Sequence, residues 1–88
     1  MKHRSSTEII DSMLRCVKSG ATRTQIMYRA YLSYTQLKEY LAMLQERDLV
    51  GYDSNTRLYR VTKKGIQFMN LYDKIHELVP NAEERNKI

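Results

Sequence analysis

The chain has 88 residues, of which 42% are hydrophobic and 28% are charged, and its formal net charge is +5. This length predicts one domain with a small core, and the apolar content excludes a disordered chain. The single cysteine, Cys16, excludes an internal disulfide. We find no signal peptide and no apolar run that could span a bilayer, so a cytoplasmic location is expected.

The positive charge is concentrated before residue 65. Residues 1–64 contain 12 Lys/Arg and 6 Asp/Glu, whereas residues 65–88 contain 3 Lys/Arg and 4 Asp/Glu. A basic segment followed by a near-neutral one is typical of a polyanion-binding unit joined to an assembly element. The alternative interpretation of this charge distribution is a soluble basic protein with no polyanionic ligand.

Three capping-box motifs mark three helix starts in the first half of the chain. In each motif a Ser or Thr caps the helix and a Glu or Gln three residues later reaches back to it. The caps are Ser5, Thr22 and Ser33, and they predict helices over about 6–18, 23–30 and 34–47. The second and third starts leave room for only a short turn between them, which is typical of a helix-turn-helix.

Each predicted helix has one apolar face at helical spacing. The predicted inward residues are Ile10, Met13, Leu14 and Val17 on the first helix, Ile26, Met27 and Ala30 on the second, and Leu37, Leu41 and Leu44 on the third. Five tyrosines are expected to be core or half-buried, namely Tyr28, Tyr31, Tyr40, Tyr59 and Tyr72. Tyr34 is expected to point outward, and a single exposed tyrosine does not make a stacking surface for single strands.

A β-hairpin is predicted after the third helix. Residues 49–53 and 57–61 have strand character, and Ser54-Asn55-Thr56 has turn chemistry. Thr62 then caps a fourth helix over 63–79, which Pro80 ends.

The order of these elements predicts the fold class and the domain organisation. The fold class is mainly α with a small β-hairpin (α+β), and two helices followed by a hairpin predict a winged helix-turn-helix. A C-terminal dimerisation helix follows. The predicted units are a DNA-binding head at 1–62, a helix at 63–79 packed on the same domain, and a polar tail at 80–88.

The third helix is the predicted recognition helix, because the second helix of a helix-turn-helix lies in the major groove. Its outward residues are candidates for base contacts, and the nearby basic residues and the hairpin are candidates for backbone or minor-groove contacts. The candidate DNA-binding residues are Arg23, Arg29, Tyr34, Thr35, Gln36, Lys38, Arg57, Arg60, Lys63 and Lys64. A solvated polar face and a charged hairpin edge that prevents aggregation are the structural alternatives.

The fourth helix carries a short heptad pattern. Its apolar residues at spacings of four, three and four, broadened by two leucines, predict a homodimer interface. The candidate interface residues are Phe68, Leu71, Tyr72, Ile75, Leu78 and Val79. Ile66 and Met69 are expected to face the core of the same domain. Packing of the whole stripe on the first helix is the alternative.

Other chemistry has no support in the sequence. His3, His76 and Cys16 lack metal-ligand spacing, and there is no glycine-rich phosphate loop or catalytic Ser-His-acid pattern. We therefore expect no enzyme activity, no cofactor, no metal, no small-molecule substrate and no membrane partner.

The run from Ile26 to Leu37, continued through Tyr40-Leu41 to Leu49-Val50, resembles small archaeal winged-helix DNA-binding proteins. The segment from Tyr59 to Gly65 is similar but is shared by many winged helices. The resemblance covers about residues 6–79 and implies duplex DNA binding by a transcriptional regulator or a chromatin-associated protein of the nucleoid. It also implies dimerisation through an antiparallel coiled coil, which Pro80 would keep short. A protein-interaction module and an RNA-binding protein are the rival predictions.

Overall fold

The computed structural model describes residues 4–80, which form four helices and one two-stranded hairpin. The elements are α1 Ser6–Cys16, α2 Arg23–Arg29, α3 Tyr34–Glu46, β1 Val50–Asp53, β2 Leu58–Val61 and α4 Lys63–Leu78. This order confirms the predicted α+β fold. The predicted tail beyond Pro80 and the first three residues of the predicted head lie outside the described residues.

All three predicted capping boxes are confirmed. At the start of α2, the Gln25 amide donates to Thr22 Oγ1 at 3.2 Å, and the Thr22 amide donates to Gln25 Oε1 at 3.0 Å. Each cap satisfies donors that the first helical turn leaves open and contributes about 1 kcal/mol. The caps therefore fix where α1, α2 and α3 begin.

One hydrophobic core lies among α1, α2, α3, the hairpin and the first half of α4. Its buried side chains are Ile9, Met13, Leu14, Val17, Ala21, Ile26, Ala30, Leu32, Leu37, Leu41, Leu44, Val50 and Met69. The sequence pattern missed Ile9, whereas the predicted Ile10 is only half-buried. Met69 faces the core as predicted, but Ile66 is 42% exposed and the prediction for it was wrong.

The hairpin is antiparallel, with Val50 opposite Val61 and Tyr52 opposite Tyr59. The rings of Tyr52 and Tyr59 lie 4.8 Å apart. On the other side of β2, Ala21 exchanges two backbone hydrogen bonds with Tyr59, of 3.0 and 2.8 Å. The segment between α1 and α2 thus pairs with β2 and holds the hairpin against the helices.

The junction between the hairpin and α4 is tightly packed. The Thr62 hydroxyl accepts from the Gly65 amide at 3.1 Å and donates to the Asp48 carbonyl at 2.6 Å. A Cβ on Gly65 would clash with the Leu49 carbonyl oxygen and a Val61 methyl. The start of α4 can therefore approach the end of α3 only because residue 65 is glycine.

An ion-pair relay joins α4 to α1. The Arg15 guanidinium donates to Asp11 on its own helix and to Asp73 on α4, each at 2.7 Å. Asp11 is only 8% exposed, so Arg15 provides the charged partner that this buried carboxylate needs. The relay links α4 to α1 beyond the core through an exposed ion pair, a kind of contact that contributes little stability.

The turn between α2 and α3 is a Schellman motif. The Leu32 amide donates to the Met27 carbonyl at 2.9 Å, the Tyr31 amide donates to the Tyr28 carbonyl at 3.3 Å, and Tyr31 has φ of +55°. Glycine usually occupies this left-handed position, and a tyrosine there costs about 1 kcal/mol. The motif directs Leu32 into the core and Tyr31 into solvent.

Two tyrosines predicted to be core or half-buried are exposed, and those predictions were wrong. Tyr31 is 85% exposed because of the left-handed turn. Tyr28 is 70% exposed because it follows buried Ile26 by two positions, which turns it about 200° around the helix. The other three, Tyr40, Tyr59 and Tyr72, are half-buried as predicted.

Replacing Gly65 with alanine tests the tight junction. We expect Gly65→Ala to lower the free energy of unfolding by about 1–3 kcal/mol, because the added methyl group overpacks the contact with Leu49. Urea denaturation followed by circular dichroism measures the change. Gly51→Ala is the control, since its Cβ would lie 4.0 Å from the Thr62 methyl carbon in ordinary contact. Equal effects of the two substitutions would contradict the packing described.

Candidate nucleic-acid interface

The outward face of α3 presents polar and aromatic groups. Tyr34 is 64% exposed, and Thr35, Gln36 and Lys38 are also exposed. Tyr34, Thr35 and Lys38 line one shallow depression of about 410 Å³, together with Glu39 and Ala42. The structure therefore brings three of the predicted recognition residues together at the N-terminal half of α3.

Gln36 has a structural task that limits its use in recognition. Its side-chain Oε1 accepts from the Ser33 backbone amide at 3.0 Å, and its backbone amide donates to Ser33 Oγ at 3.1 Å. Pairing with both adenine edge atoms needs the carboxamide oxygen and nitrogen together. While the cap is intact, Gln36 can offer a ligand only the N–H groups of its side-chain carboxamide.

The tip of the hairpin, residues 54–57, exposes a free arginine. The Arg57 amide donates to the Asp53 carbonyl at 2.7 Å, and the Asn55 amide donates to Asp53 Oδ1 at 2.9 Å. Arg57 itself has φ of +59°. Among the described residues its guanidinium has no hydrogen bond or ion pair, so its charge is available to a ligand.

Arg60, the other arginine predicted to act on the hairpin, is held by the protein. Its Nη1 lies 3.5 Å from the Ser19 carbonyl oxygen, and its Nε lies 4.0 Å from Asp53 Oδ2. A Cβ on Gly20 would lie 3.1 Å from Nη1, so the guanidinium lies against that glycine. Arg60 thus braces β2 against the loop that follows α1, and any contact with a phosphate would compete with this role.

The first turns of α2 and α4 carry basic side chains, although acidic side chains are usual at a helix N-terminus. Only α1 has an acidic residue in its first turn, whereas α2 starts with Arg23 and α4 starts with Lys63 and Lys64. Cations at a helix N-terminus are unfavourable by about 0.3–1 kcal/mol each. All three side chains are exposed, so they add positive potential without stabilising the fold.

Three of the predicted contact residues lie away from the α3 depression. Lys63 and Lys64 begin α4 beside the residues that end α3, about 20 Å along that helix from Tyr34. Arg29 lies near Cys16 on the α1 side of α2, where its charge opposes the burial that raises the pKa of the thiol. The structure therefore does not gather the ten candidates into one cluster.

Acidic residues are absent from the helix-turn-helix up to the recognition face. Residues 12–38 contain no Asp or Glu and carry Arg15, Lys18, Arg23, Arg29 and Lys38. Arg15 is paired with Asp11 and Asp73, while the other four have no ion pair among the described residues. This surface attracts anions.

Residues on the predicted dimer interface divide into two groups. Leu71, Ile75, Leu78 and Val79 are 62%, 51%, 78% and 40% exposed. Phe68 packs against the core, and Tyr72 is half-buried with its ring centroid 6.3 Å from that of Phe68. The first half of α4 is thus part of the domain, and its second half carries an open apolar stripe.

Sequence reasoning did not find the two exposed tyrosines at the α2–α3 corner, Tyr28 and Tyr31, which it predicted to be core or half-buried. Arg4 Nη2 donates to the Tyr31 carbonyl at 2.9 Å, which places a cation at the backbone of the exposed Tyr31. Counting around α2 from Ile26 would have found Tyr28. Nothing in the sequence near Tyr31 signals a left-handed residue, since glycine and asparagine are absent there.

The described part of the chain, residues 4–80, has no group of His, Cys, Asp or Glu side chains arranged to hold a metal ion. No helix in this range is both long and apolar enough to cross a membrane.

The arrangement of elements is that of a winged helix-turn-helix, in which α2 and α3 form the helix-turn-helix and β1–β2 form the wing. The winged helix-turn-helix family profile matches residues 3–79, and the chain belongs to this family. A search of curated proteins gives no significant match.

Two solved structures share the fold. The DNA-binding protein Sso10a-2 from Sulfolobus solfataricus is 24% identical with a TM-score of 0.73, and the alignment covers 96% of this chain and 94% of that one. A mutant of ZitR from Lactococcus lactis is 21% identical with a TM-score of 0.62, and the alignment covers all of this chain and 64% of ZitR. The chain therefore spans slightly less than two thirds of ZitR. At these identities the likenesses establish the fold.

The wing turn should respond to acid. The Thr56 hydroxyl, followed by the Asn55 amide and the charge of Arg60, holds the pKa of Asp53 below its ordinary value. A lowered pKa means that the folded turn favours the carboxylate. Its contribution to stability is present above the ordinary carboxyl range and is lost as pH falls through the lowered pKa.

An NMR titration of the Asn55 amide checks this expectation. We expect its midpoint to lie below that of an aspartate in an unfolded peptide of the same sequence. In an Asp53→Asn variant the transition should vanish. A midpoint at or above the peptide value would contradict the hydrogen bonding of this turn.

Proposed function

We propose that this protein binds duplex DNA, with α3 in the major groove and the wing on the backbone or in the minor groove. The observation that carries the proposal is the surface charge. The helix-turn-helix has no Asp or Glu before Glu39, and cations without protein partners lie at helix starts and at the wing tip, where they do not stabilise the fold. Sso10a-2, which has the same fold, is a DNA-binding protein.

The residues have distinct roles in this proposal. Tyr34, Thr35 and Lys38 would meet the groove, since they share the exposed depression on α3. Arg57 would reach the backbone or the minor groove from the wing tip. Arg23, Arg29, Lys63 and Lys64 would contact phosphates, and Gln36 and Arg60 would chiefly position α3 and the wing.

Fluorescence anisotropy with a random-sequence duplex at several salt concentrations tests the proposal. Neutralised phosphates release counterions, so log affinity should fall linearly with log salt, with a slope of about −0.9 per phosphate contact. Absence of binding at low salt would contradict it and would favour the protein-interaction module. Tighter binding to duplex RNA than to duplex DNA would favour the RNA-binding alternative.

Removing a cation from each contact region should weaken duplex binding. We expect Lys38→Ala and Arg57→Ala each to cost about 1 kcal/mol, roughly a fivefold loss of affinity, and to make the salt slope shallower by about one contact. Lys74→Ala is the control, because Lys74 lies on α4 beside Asp73 and Glu77. Unchanged affinity in both test variants would exclude this docking.

We also propose that the protein is a homodimer through α4. Four of the predicted interface residues form the exposed stripe at the C-terminal end of α4, and an exposed ion pair between Arg15 and Asp73 links this part of the helix to α1. Burying such a stripe against a second copy would remove apolar area that one domain leaves in water. A two-fold dimer would present two α3 helices to two half-sites.

A charge placed in the stripe should separate the dimer. We expect Ile75→Glu to raise the dimer dissociation constant more than about tenfold, because a carboxylate would be buried in an apolar seam. Sedimentation equilibrium measures this change. Asn70→Glu adds the same charge on the polar side of α4 and should have little effect. A wild-type protein that stays monomeric over a wide concentration range would exclude the dimer.

A transcriptional regulator and a general DNA coater of the nucleoid differ in site preference. Selection of bound sequences from a random duplex pool separates them, since a regulator enriches one motif and a coater enriches none. The regulatory role is the prediction that we carry forward.

A further inference from the structure

We propose that Tyr28, Tyr31 and Tyr34 form a surface on which the unpaired bases of a single-stranded nucleic acid stack. The three residues follow one another at intervals of three along α2, the turn and the start of α3. They are 70%, 85% and 64% exposed. We call this set the tyrosine corner patch. The ligand differs from the duplex proposed above, and stacking of single strands on these rings does not require duplex binding.

Among the described residues, the three tyrosine rings of the patch take part in no ring contact or hydroxyl hydrogen bond that would stabilise the fold. None of the three makes a ring contact within residues 4–80, and none of the three hydroxyl groups has a hydrogen bond there. Exposed tyrosine rings with free faces are what sequence-tolerant binding of single strands requires, because every base has a π-face.

Tyr31 adds a second, independent observation. Its backbone has φ of +55°, where glycine or asparagine would fit without strain, and its side chain is the most exposed of the three. A tyrosine there strains the backbone and packs on nothing in the described chain. The Schellman turn itself sets this conformation, as it does at Asp48 after α3, so the feature that points to a ligand is an exposed tyrosine side chain at this position.

The surroundings of the patch suit a polyanion. Arg4 donates to the carbonyl oxygen of Tyr31, Arg29 is exposed on the same short helix as Tyr28, and Lys38 lies one turn along α3 from Tyr34. No acidic residue occurs from position 12 to position 38. Glu39, beside Lys38, is the first carboxylate after Tyr34 on α3. Aromatic rings interleaved with cations match bases joined by phosphates better than they match a protein partner.

A pair of matched double variants tests the patch. Tyr28→Ala with Tyr31→Asn removes two rings, and asparagine tolerates the left-handed turn. Tyr28→Phe with Tyr31→Phe keeps both rings and removes only the hydroxyl groups. Neither residue belongs to the proposed duplex contacts, so the two proposals can fail separately. Circular dichroism melting checks that both variants are folded.

The readout is anisotropy with labelled oligo(dT) and oligo(U) of about 20 nucleotides, an abasic strand of equal length, and a duplex. We expect the Ala/Asn variant to lose about tenfold or more in affinity for the strands with bases. The affinity of the Phe/Phe variant for these strands should stay within about twofold of the wild-type affinity. The affinity for the duplex should change little in either variant. The abasic strand should bind at least about tenfold more weakly than oligo(dT) to the wild-type protein.

Intrinsic fluorescence gives a direct measure of stacking. The chain has seven tyrosines and no tryptophan, so quenching by oligo(dT) reports on tyrosine alone. The quenching should be largely lost in the Ala/Asn variant. Three results would each overturn the proposal. The wild-type protein could bind abasic and normal strands with equal affinity, the Phe/Phe variant could lose as much affinity as the Ala/Asn variant, or the Ala/Asn variant could lose no affinity for either strand. A loss on one strand type only would assign the patch to that type of strand.

Discussion

The turn between α2 and α3 is the constraint on which the presentation of α3 depends. Its Schellman hydrogen bonds end α2, drive Leu32 into the core, and leave Ser33 to cap α3 within two residues of Tyr31. Two helices joined so closely have little freedom to change their angle. The outward residues of α3 are therefore held in place before any ligand arrives, which reduces the entropy that binding has to overcome.

The charge distribution runs against the local rules of helix stability. Acidic residues normally occupy the first turn of a helix, yet α2 and α4 start with cations and the helix-turn-helix has no carboxylate before Glu39. Departures of this kind are expected where a surface serves a ligand rather than the fold. Arg60 is the exception, because its contacts with Ser19 and Asp53 brace the wing.

Most of the fold could be predicted from the sequence, because capping boxes and apolar spacing are local signals that depend on neighbouring residues only. Helix starts at Ser6, Arg23 and Tyr34 followed directly from them. Tyr31 and Ile66 were predicted wrongly because their exposure depends on a left-handed turn and on how α4 crosses α1. The pairing of Ala21 with Tyr59 was missed because a single-residue bridge has no alternating pattern.

The candidate site could be predicted from the sequence only in part, because contacts formed in the fold decide which charged side chains are available. The type and order of the charged residues were visible, but their availability was not. Arg57 and Arg60 look equivalent in the sequence, and only the folded loop after α1 shows that Arg60 is engaged. Likewise, the double role of Gln36 could be suspected from its cap, while the placement of Lys63 and Lys64 beside the end of α3 needed the packing of Gly65.

Proton–nitrogen correlation NMR with a duplex of about 20 base pairs maps the contact surface residue by residue and so tests whether α3 and the wing bind DNA. We predict that the largest shift changes occur at the amides of Tyr34, Thr35, Lys38 and Arg57, with residues 70–77 of α4 unchanged. Changes centred on α4, or no change at low salt, would contradict it.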